Sequence, residues 1–208
     1  MEHSGTLLAL ANFAFVTSIT PGPNNFMVMA SGAAFGWWGT LRHMLGIALG
    51  FSLMMGAVVL GFGAVLERFT HVLVTLRVGG AIWLMWLAWQ LAGAALKPAS
   101  VPSTSEPEPE AARPLTLFEA AMFQWVNPKA WTMAVAASAA YSGVSADLVT
   151  RALVMIVIFA VAAMLCNSAW VLAGKALQRL MTGGDSARIV NLVMAALVVV
   201  SAVLIVMG

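Results

Sequence analysis

Long apolar runs dominate the pattern of hydrophobic and polar positions along this chain. Six runs contain about 20 residues or more, the length at which an α-helix crosses the hydrocarbon core of a bilayer. None of these runs carries more than two charged residues, and the segments between the runs are more polar than the runs themselves. The pattern predicts an all-α integral membrane protein with six transmembrane helices, over Leu7–Ala30, Leu41–Leu66, Val72–Leu96, Leu117–Tyr141, Leu148–Gly174 and Ile189–Met207.

The composition supports a membrane protein. Of the 208 residues, 62% are hydrophobic and only 9% are charged, whereas soluble domains carry about 25% charged residues. The formal net charge of +2 and the scattered Lys and Arg residues argue against a nucleic-acid partner. The N-terminus lacks the basic segment of a signal peptide, so the first run is predicted to be retained as a span. The single cysteine, Cys166, excludes an internal disulfide and is expected to pack within its apolar run.

A segment rich in proline and glutamate separates the third and fourth runs. Residues 98–116 contain five of the eight prolines and three of the eight acidic residues. Such a composition cannot bury enough apolar surface to fold, so an extended linker is predicted. It divides the chain into residues 1–97 and residues 117–208. Because each part has three spans, the two are predicted to be inverted three-helix repeats, with opposite orientations in the bilayer.

The three prolines outside the linker interrupt two of the apolar runs. Thr20-Pro21-Gly22-Pro23-Asn24-Asn25 lies within the first run, and Asn127-Pro128-Lys129 lies within the fourth. Proline removes an amide donor and clashes with the preceding helical turn, so each helix should break there. In lipid, broken backbone is tolerated only where protein buries it or where it lines a cavity. Interrupted helices at corresponding positions of inverted repeats predict a binding site at the middle of the membrane.

The groups at these interruptions suit a small zwitterion. A helix that restarts after a break presents free N–H groups that favour a carboxylate. The freed carbonyls and the side-chain oxygens of Thr20, Asn24 and Asn25 favour an ammonium group or a hydroxyl. Lys129 lies deep in its run, where a cation costs at least ~2.5 kcal/mol, so we expect it to contact a substrate carboxylate or an acidic gating partner. Two plainer interpretations stay open: a proline kink that only shapes packing, and a shifted fourth span that brings Lys129 to an interface.

Three further polar residues complete the predicted site. Gln124 precedes the second interruption, and Asn127 is expected to hydrogen-bond to the first interruption. Asn167, within the fifth run, either contacts substrate or bonds a neighbouring helix. The predicted substrate-binding set is Thr20, Pro21, Gly22, Pro23, Asn24, Asn25, Gln124, Asn127, Pro128, Lys129 and Asn167.

The sequence lacks the motifs of several chemistries. It contains no H-E-x-x-H, G-x-S-x-G or phosphate-binding loop, and its three histidines lie outside the predicted site. We therefore expect neither an enzyme nor a nucleotide-driven pump, and no cofactor or metal. If protons drive transport, Glu119 and Lys129 are the candidate carriers.

The basic residues predict an orientation. Six of the ten Lys and Arg residues fall on the side reached after spans one, three and five, and three fall on the opposite side. By the positive-inside rule the first side is cytoplasmic, which places both termini outside. The six are Arg42, Lys97, Arg113, Lys175, Arg179 and Arg188.

Several of these motifs resemble those of the lysine exporter type (LysE/RhtB) family of bacterial amino-acid exporters. The resemblance rests on residues 20–25, 46–51, 124–131 and 167–170, followed by Gly174. Asn24-Asn25 and Asn167 with Trp170 most resemble the cysteine/O-acetylserine subgroup. The resemblance implies proton-driven efflux of small amino acids or their derivatives, either cysteine and O-acetylserine or threonine and homoserine. It also implies an oligomer in the bacterial inner membrane. An importer, or a non-transporting scaffold or accessory subunit, is the alternative.

Overall fold

The computed structural model describes residues 2–62, 70–96, 113–180 and 186–207, and these residues are helical with short connections and no β-strand. A π-helical turn, Val58–Phe62, continues the helix that ends at Ala57, and a 3-10 turn, Ser142–Val144, follows the helix that ends at Ala140. The all-α prediction is confirmed for this part of the chain. The helices are α1 (Glu2–Ile19), α2 (Pro23–Ala57), α3 (Thr70–Leu96), α4 (Leu117–Val126), α5 (Pro128–Ala140), α6 (Leu148–Leu180) and α7 (Ser186–Met207).

Both predicted interruptions are confirmed as breaks between helices. Gly22 is extended (φ −172°, ψ 178°) and precedes α2, in which Pro23 takes the first position. Asn127 (φ −88°, ψ 106°) separates α4 from α5, which opens with Pro128. Proline suits the first position of a helix because the N–H that it lacks would have no intrahelical acceptor there. The linker predicted over residues 98–116 lies outside the described residues, apart from residues 113–116.

A corner at Gly36 divides α2 into two arms. Ser31 Oγ and Thr40 Oγ1 lie 2.9 Å apart, although nine residues of straight helix would separate them by roughly 13 Å along the axis. Gly36 has φ 68° and ψ −175°, a conformation that is essentially confined to glycine. The first span was predicted to end at Ala30 and the second to begin at Leu41. The chain instead turns at Gly36 without a polar loop, so the first arm is 23–35 and the second is 37–57.

Glycines allow the helices around this corner to approach closely. A Cβ added to Gly32 would lie 2.7 Å from Val171 Cα on α6, and one added to Gly50 would lie 2.6 Å from Ala121 Cα on α4. Gly46, four residues before Gly50, meets Leu117, four residues before Ala121, and also touches Ala120. The second arm of α2 therefore runs parallel to α4. The G-x-x-x-G spacing of Gly46 and Gly50 thus marks close helix packing.

A buried aromatic and aliphatic cluster joins α1, the second arm of α2, α5 and α6. Phe159 on α6 is fully buried at its centre, and its ring lies 5.3 Å from that of Phe51 and 6.4 Å from that of Phe13. Tightly packed side chains of this kind hold the surrounding helices in fixed positions. Phe51 also borders the cleft described below, so the cluster supports one wall of the candidate site.

Two helical segments of the described chain are long and apolar enough to cross a membrane, Pro23–Gly61 and Leu148–Arg179. The first includes the corner at Gly36, after which the second arm alone provides 21 residues, or about 31 Å of helix. The six-span count and the inverted repeats stay predictions.

Candidate functional site

The two interrupted helices meet. Asn24 Nδ2, just after the first break, donates to Gln124 Oε1 at 2.8 Å. Gln124 Nε2 donates back to Asn24 Oδ1 at 3.2 Å, and also donates to the Ala120 carbonyl at 2.9 Å. From the second break, Lys129 Nζ donates to the carbonyl of Thr20. Residues about a hundred positions apart in the sequence are thereby joined around one point.

A cleft opens at this meeting point. It contains about 450 Å³ of empty space, part of which is open to the surroundings. Small-molecule sites combine a mainly apolar wall with a few polar groups, and the lining of this cleft contains both kinds of residue. The lining residues are Ser18, Asn24, Asn25, Ile47, Phe51, Gln124, Asn127, Lys129, Ala130, Met133, Ala163 and Asn167.

Six of the eleven predicted site residues line this cleft: Asn24, Asn25, Gln124, Asn127, Lys129 and Asn167. The side chain of Thr20 does not reach it, because the Thr20 hydroxyl donates to the carbonyl of Val16 at 2.5 Å within α1. Thr20 instead contributes the carbonyl that Lys129 contacts. Pro21, Gly22, Pro23 and Pro128 belong to the breaks and not to the lining.

Gly22 makes room for Lys129. A Cβ added to Gly22 would lie 2.8 Å from Lys129 Cδ and 3.1 Å from its Nζ. The backbone of Gly22 is extended and would accept any residue. The requirement for glycine here is therefore a matter of space, and it allows a lysine from one half of the chain to lie against the broken backbone of the other.

Asn25 and Asn127 stabilise the breaks themselves. Asn25 Nδ2 donates to the carbonyl of Ser18 at 2.9 Å, across the first break. Asn127 Oδ1 accepts from the backbone N–H of Lys129 at 3.1 Å, which makes Asn127 the cap of α5. We expected Asn127 to hydrogen-bond to the first interruption. The structure assigns that contact to Gln124, because the side-chain oxygen of Asn127 accepts from the backbone N–H of Lys129 in its own helix.

Asn167 presents an unused donor at the cleft. Its side chain is 4% exposed, and its Nδ2 has no hydrogen-bond partner within the described residues. A buried donor that lacks an acceptor costs about 1–3 kcal/mol. This arrangement favours a role for Asn167 in contacting a ligand, because the amide bonds no neighbouring helix among the residues described here.

Comparison with known proteins adds to this geometry. The model of the LysE type translocator family matches residues 15–208. The chain belongs to the LysE type translocator family. It is therefore a membrane transporter and not an enzyme, and the family resemblance noted in the sequence is confirmed.

Curated relatives match over nearly the whole chain. A cysteine/O-acetylserine efflux protein of Klebsiella pneumoniae is 32% identical over 202 residues, which is 95% of both chains. Proteins of the same description from Escherichia coli K12 and Shigella flexneri are each 27% identical over 200 residues, again 95% of both chains. No solved structure matches the chain.

The lining of the cleft in this LysE type translocator combines polar donors with apolar side chains. Lys129 supplies a cation and Asn167 an unpaired N–H donor, and both suit a carboxylate. Ile47, Phe51 and Met133 form the apolar wall, which suits a small uncharged side chain. None of the residues that line the cleft is acidic. The partner that the structure gives Lys129 is the Thr20 carbonyl, and not the acidic gating partner that was considered.

Six further residues that the sequence did not predict complete the lining of the translocator cleft. They are Ser18, Ile47, Phe51, Ala130, Met133 and Ala163. The spacing of four residues between Ile47 and Phe51 indicated only that both side chains lie on one face of the second arm. Nothing in the sequence indicated that this face would meet the breaks.

Glu119, one of the two candidate proton carriers, lies away from the cleft at the start of α4. Its carboxylate accepts from Arg113 Nη1 at 2.8 Å and from Arg113 Nη2 at 2.7 Å. It also accepts from the backbone N–H of Thr116 at 2.8 Å, while the Thr116 hydroxyl accepts from the Glu119 N–H at 3.2 Å. This reciprocal capping box fixes the first turn of α4 in the translocator.

Proposed function

We propose that this LysE type translocator exports a small neutral amino acid or derivative, of the cysteine or O-acetylserine kind, across the plasma membrane of a bacterium. The observation that carries the proposal is the meeting of two interrupted helices around a cleft with one cation, one unpaired amide donor and an apolar wall. The descriptions of the relatives as cysteine/O-acetylserine efflux proteins support the choice of substrate and direction.

In this proposal Lys129 and Asn167 bind the substrate carboxylate. Lys129 would exchange its contact with the Thr20 carbonyl for the substrate. The released carbonyl and the Ser18 side chain would then be available to the substrate ammonium group. Ile47, Phe51 and Met133 surround the short side chain, which leaves little room for a long or charged one.

We further propose six membrane spans arranged as two inverted repeats, with both termini outside and transport by rocking of the repeats about the cleft. The corresponding positions of the breaks at Gly22 and Asn127 support this arrangement. Large apolar residues at steps of four on α6 are exposed, as lipid contact requires: Leu153, Val157, Val161 and Leu165. Coupling to protons and the formation of an oligomer belong to the same proposal.

Everted membrane vesicles test the proposal, because an exporter accumulates its substrate inside them. We expect vesicles with the wild-type protein to accumulate radiolabelled O-acetylserine or cysteine, and Asn167→Ala to reduce this uptake strongly at equal membrane expression. Asn12→Ala is the matched control, since Asn12 is exposed on α1. Absence of uptake for a panel of amino acids would favour a scaffold or accessory subunit. Accumulation only in right-side-out vesicles would indicate an importer.

A further inference from the structure

His43 is a buried histidine that the proposed substrate site does not use. It lies on the second arm of α2 with a side chain that is 1% exposed. Neither Nδ1 nor Nε2 has a hydrogen-bond partner within the described residues. A buried imidazole needs at least one partner for its N–H, and an unsatisfied group costs about 1–3 kcal/mol. Buried polar groups left in this state are uncommon and call for an explanation in terms of water or function.

The position of His43 connects it to the cleft. Ile47 and Phe51 follow it at steps of four residues on the same arm, and both line the cleft. Four residues advance an α-helix by about 6 Å and keep side chains on one face. His43 therefore lies one helical turn beyond the apolar wall of the candidate site.

On its other side His43 is close to a charged pair. The second arm runs parallel to α4, and Gly46 packs on Leu117 and Ala120, so His43 is level with the start of α4. There the carboxylate of Glu119 folds back onto Thr116 and pairs with Arg113. Burial disfavours the charged form of the His43 ring, and the negative charge of Glu119 offsets part of that effect. The side chains of Glu119 and Arg113 are 38% and 62% exposed, so this pair reaches the surface.

Other charged groups on the helices packed against α2 do not share this position. Lys129 is in the cleft, and Arg42, next to His43, is exposed. Within the described residues, Glu119 is the charged group that acts on the His43 ring. The remaining basic residues on α6 and α7 are Arg151, Lys175, Arg179 and Arg188.

We propose that His43 carries the coupling proton of this translocator between the cleft and the side of the membrane that Arg113 and Glu119 face. The inference rests on the proposed function. On the cleft side, one ring nitrogen accepts a proton from a hydronium ion, which becomes water, while the substrate site is open. The other nitrogen then releases its proton to water beside the Arg113–Glu119 pair, and a flip of the neutral ring restores the starting tautomer. Glu119, held by Arg113 and Thr116, is the counter-charge that stabilises the protonated ring.

The test separates proton coupling from substrate movement. Purified protein in liposomes is assayed with radiolabelled cysteine under reducing conditions in two ways. Counterflow against unlabelled cysteine at equal pH measures substrate movement alone. Accumulation in liposomes with an acidic interior measures coupling to protons. We expect His43→Gln to retain counterflow and to lose the accumulation. His71→Gln, which changes an exposed histidine on α3, should retain both.

A pH profile provides a second readout. Removing the anion in Glu119→Gln disfavours a protonated ring, so the pH of half-maximal accumulation should move to more acidic values. If Glu119 only caps α4, Glu119→Gln should leave this pH unchanged, because glutamine also completes a capping box, and that result would overturn the role of Glu119 as counter-charge.

The outcomes distinguish the two proposals. Absence of wild-type counterflow with cysteine and with O-acetylserine contradicts the proposed function itself. Wild-type counterflow that no pH gradient can drive overturns the role of His43 and leaves the exporter in place. The same holds if His43→Gln accumulates cysteine as the wild type does. Loss of both activities in a His43→Gln protein that purifies normally would indicate a structural histidine and also overturns the proposal.

Discussion

Asn24 and Gln124 bond to each other through both ends of their amide groups, at 2.8 and 3.2 Å, although 100 residues separate them. Each belongs to a different half of the chain and lies beside a different helix break. The pair therefore connects the two breaks directly. If the halves rock during transport, this connection must open and close.

The Asn24–Gln124 contact should appear as a coupling between the two residues. We expect Asn24→Ala and Gln124→Ala each to lower the stability of the protein in detergent, and the double variant to lower it by less than the sum. A coupling of about 1 kcal/mol is typical of such a pair. Thermal unfolding of the four proteins measures it. Strict additivity would show that the two amides do not depend on each other.

Gly22→Ala should displace Lys129 without altering the backbone. The added Cβ would lie 2.8 Å from Lys129 Cδ, while the extended conformation of Gly22 accepts alanine. We expect export to fall roughly tenfold, a change of about 1.4 kcal/mol, at normal expression. In a Lys129→Ala background, Gly22→Ala should cause little further loss of export, because the side-chain atoms that the added Cβ would meet are absent. A Gly22→Ala protein with wild-type export would show that the side chain relaxes freely.

Gly50→Ala should destabilise the contact between the second arm of α2 and α4. Its Cβ would meet backbone atoms of Ala121, which cannot move aside as the end of a side chain can. Such overpacking costs typically about 1–3 kcal/mol. Gly93→Ala on α3 is the matched control, since nothing lies within 4 Å of its added Cβ. Comparison of the two melting temperatures checks the prediction, which equal stability would contradict.

Gly36→Ala should destabilise the protein for a different reason. No atom lies within 4 Å of a Cβ added there, so space is available. The conformation with φ 68° and ψ −175° is nevertheless unfavourable for every residue except glycine. For alanine it costs about 1–3 kcal/mol. We expect a lower melting temperature for Gly36→Ala. A melting temperature equal to that of the wild type would show that the corner can relax.

The sequence could predict the two breaks but not how they fit together. Proline and its neighbours act on their own stretch of chain, so the interruptions at Pro23 and Pro128 follow from local chemistry. The partnership of Asn24 with Gln124, and the wall that includes Phe51, depend on how distant helices pack. The corner at Gly36 lies between the first two predicted runs, which end at Ala30 and begin at Leu41, but the sequence did not show that a single glycine would make this connection.

Recognition of a substrate carboxylate supplies the last prediction. Lys129 and Asn167 both line the cleft, and both offer donors to a negative group. An amino acid and its uncharged carboxamide differ at that group alone, so the wild-type protein should transport the acid in clear preference to the amide. Lys129→Gln should weaken transport of the acid far more than transport of the amide, because the lost charge matters only to the acid. Competition of each compound against radiolabelled cysteine in counterflow measures the preference.

Gln178 on α6 is exposed, so Gln178→Ala is the control and should keep the wild-type preference. An unchanged preference in Lys129→Gln would place the carboxylate elsewhere in the cleft and leave Asn167 as the remaining candidate.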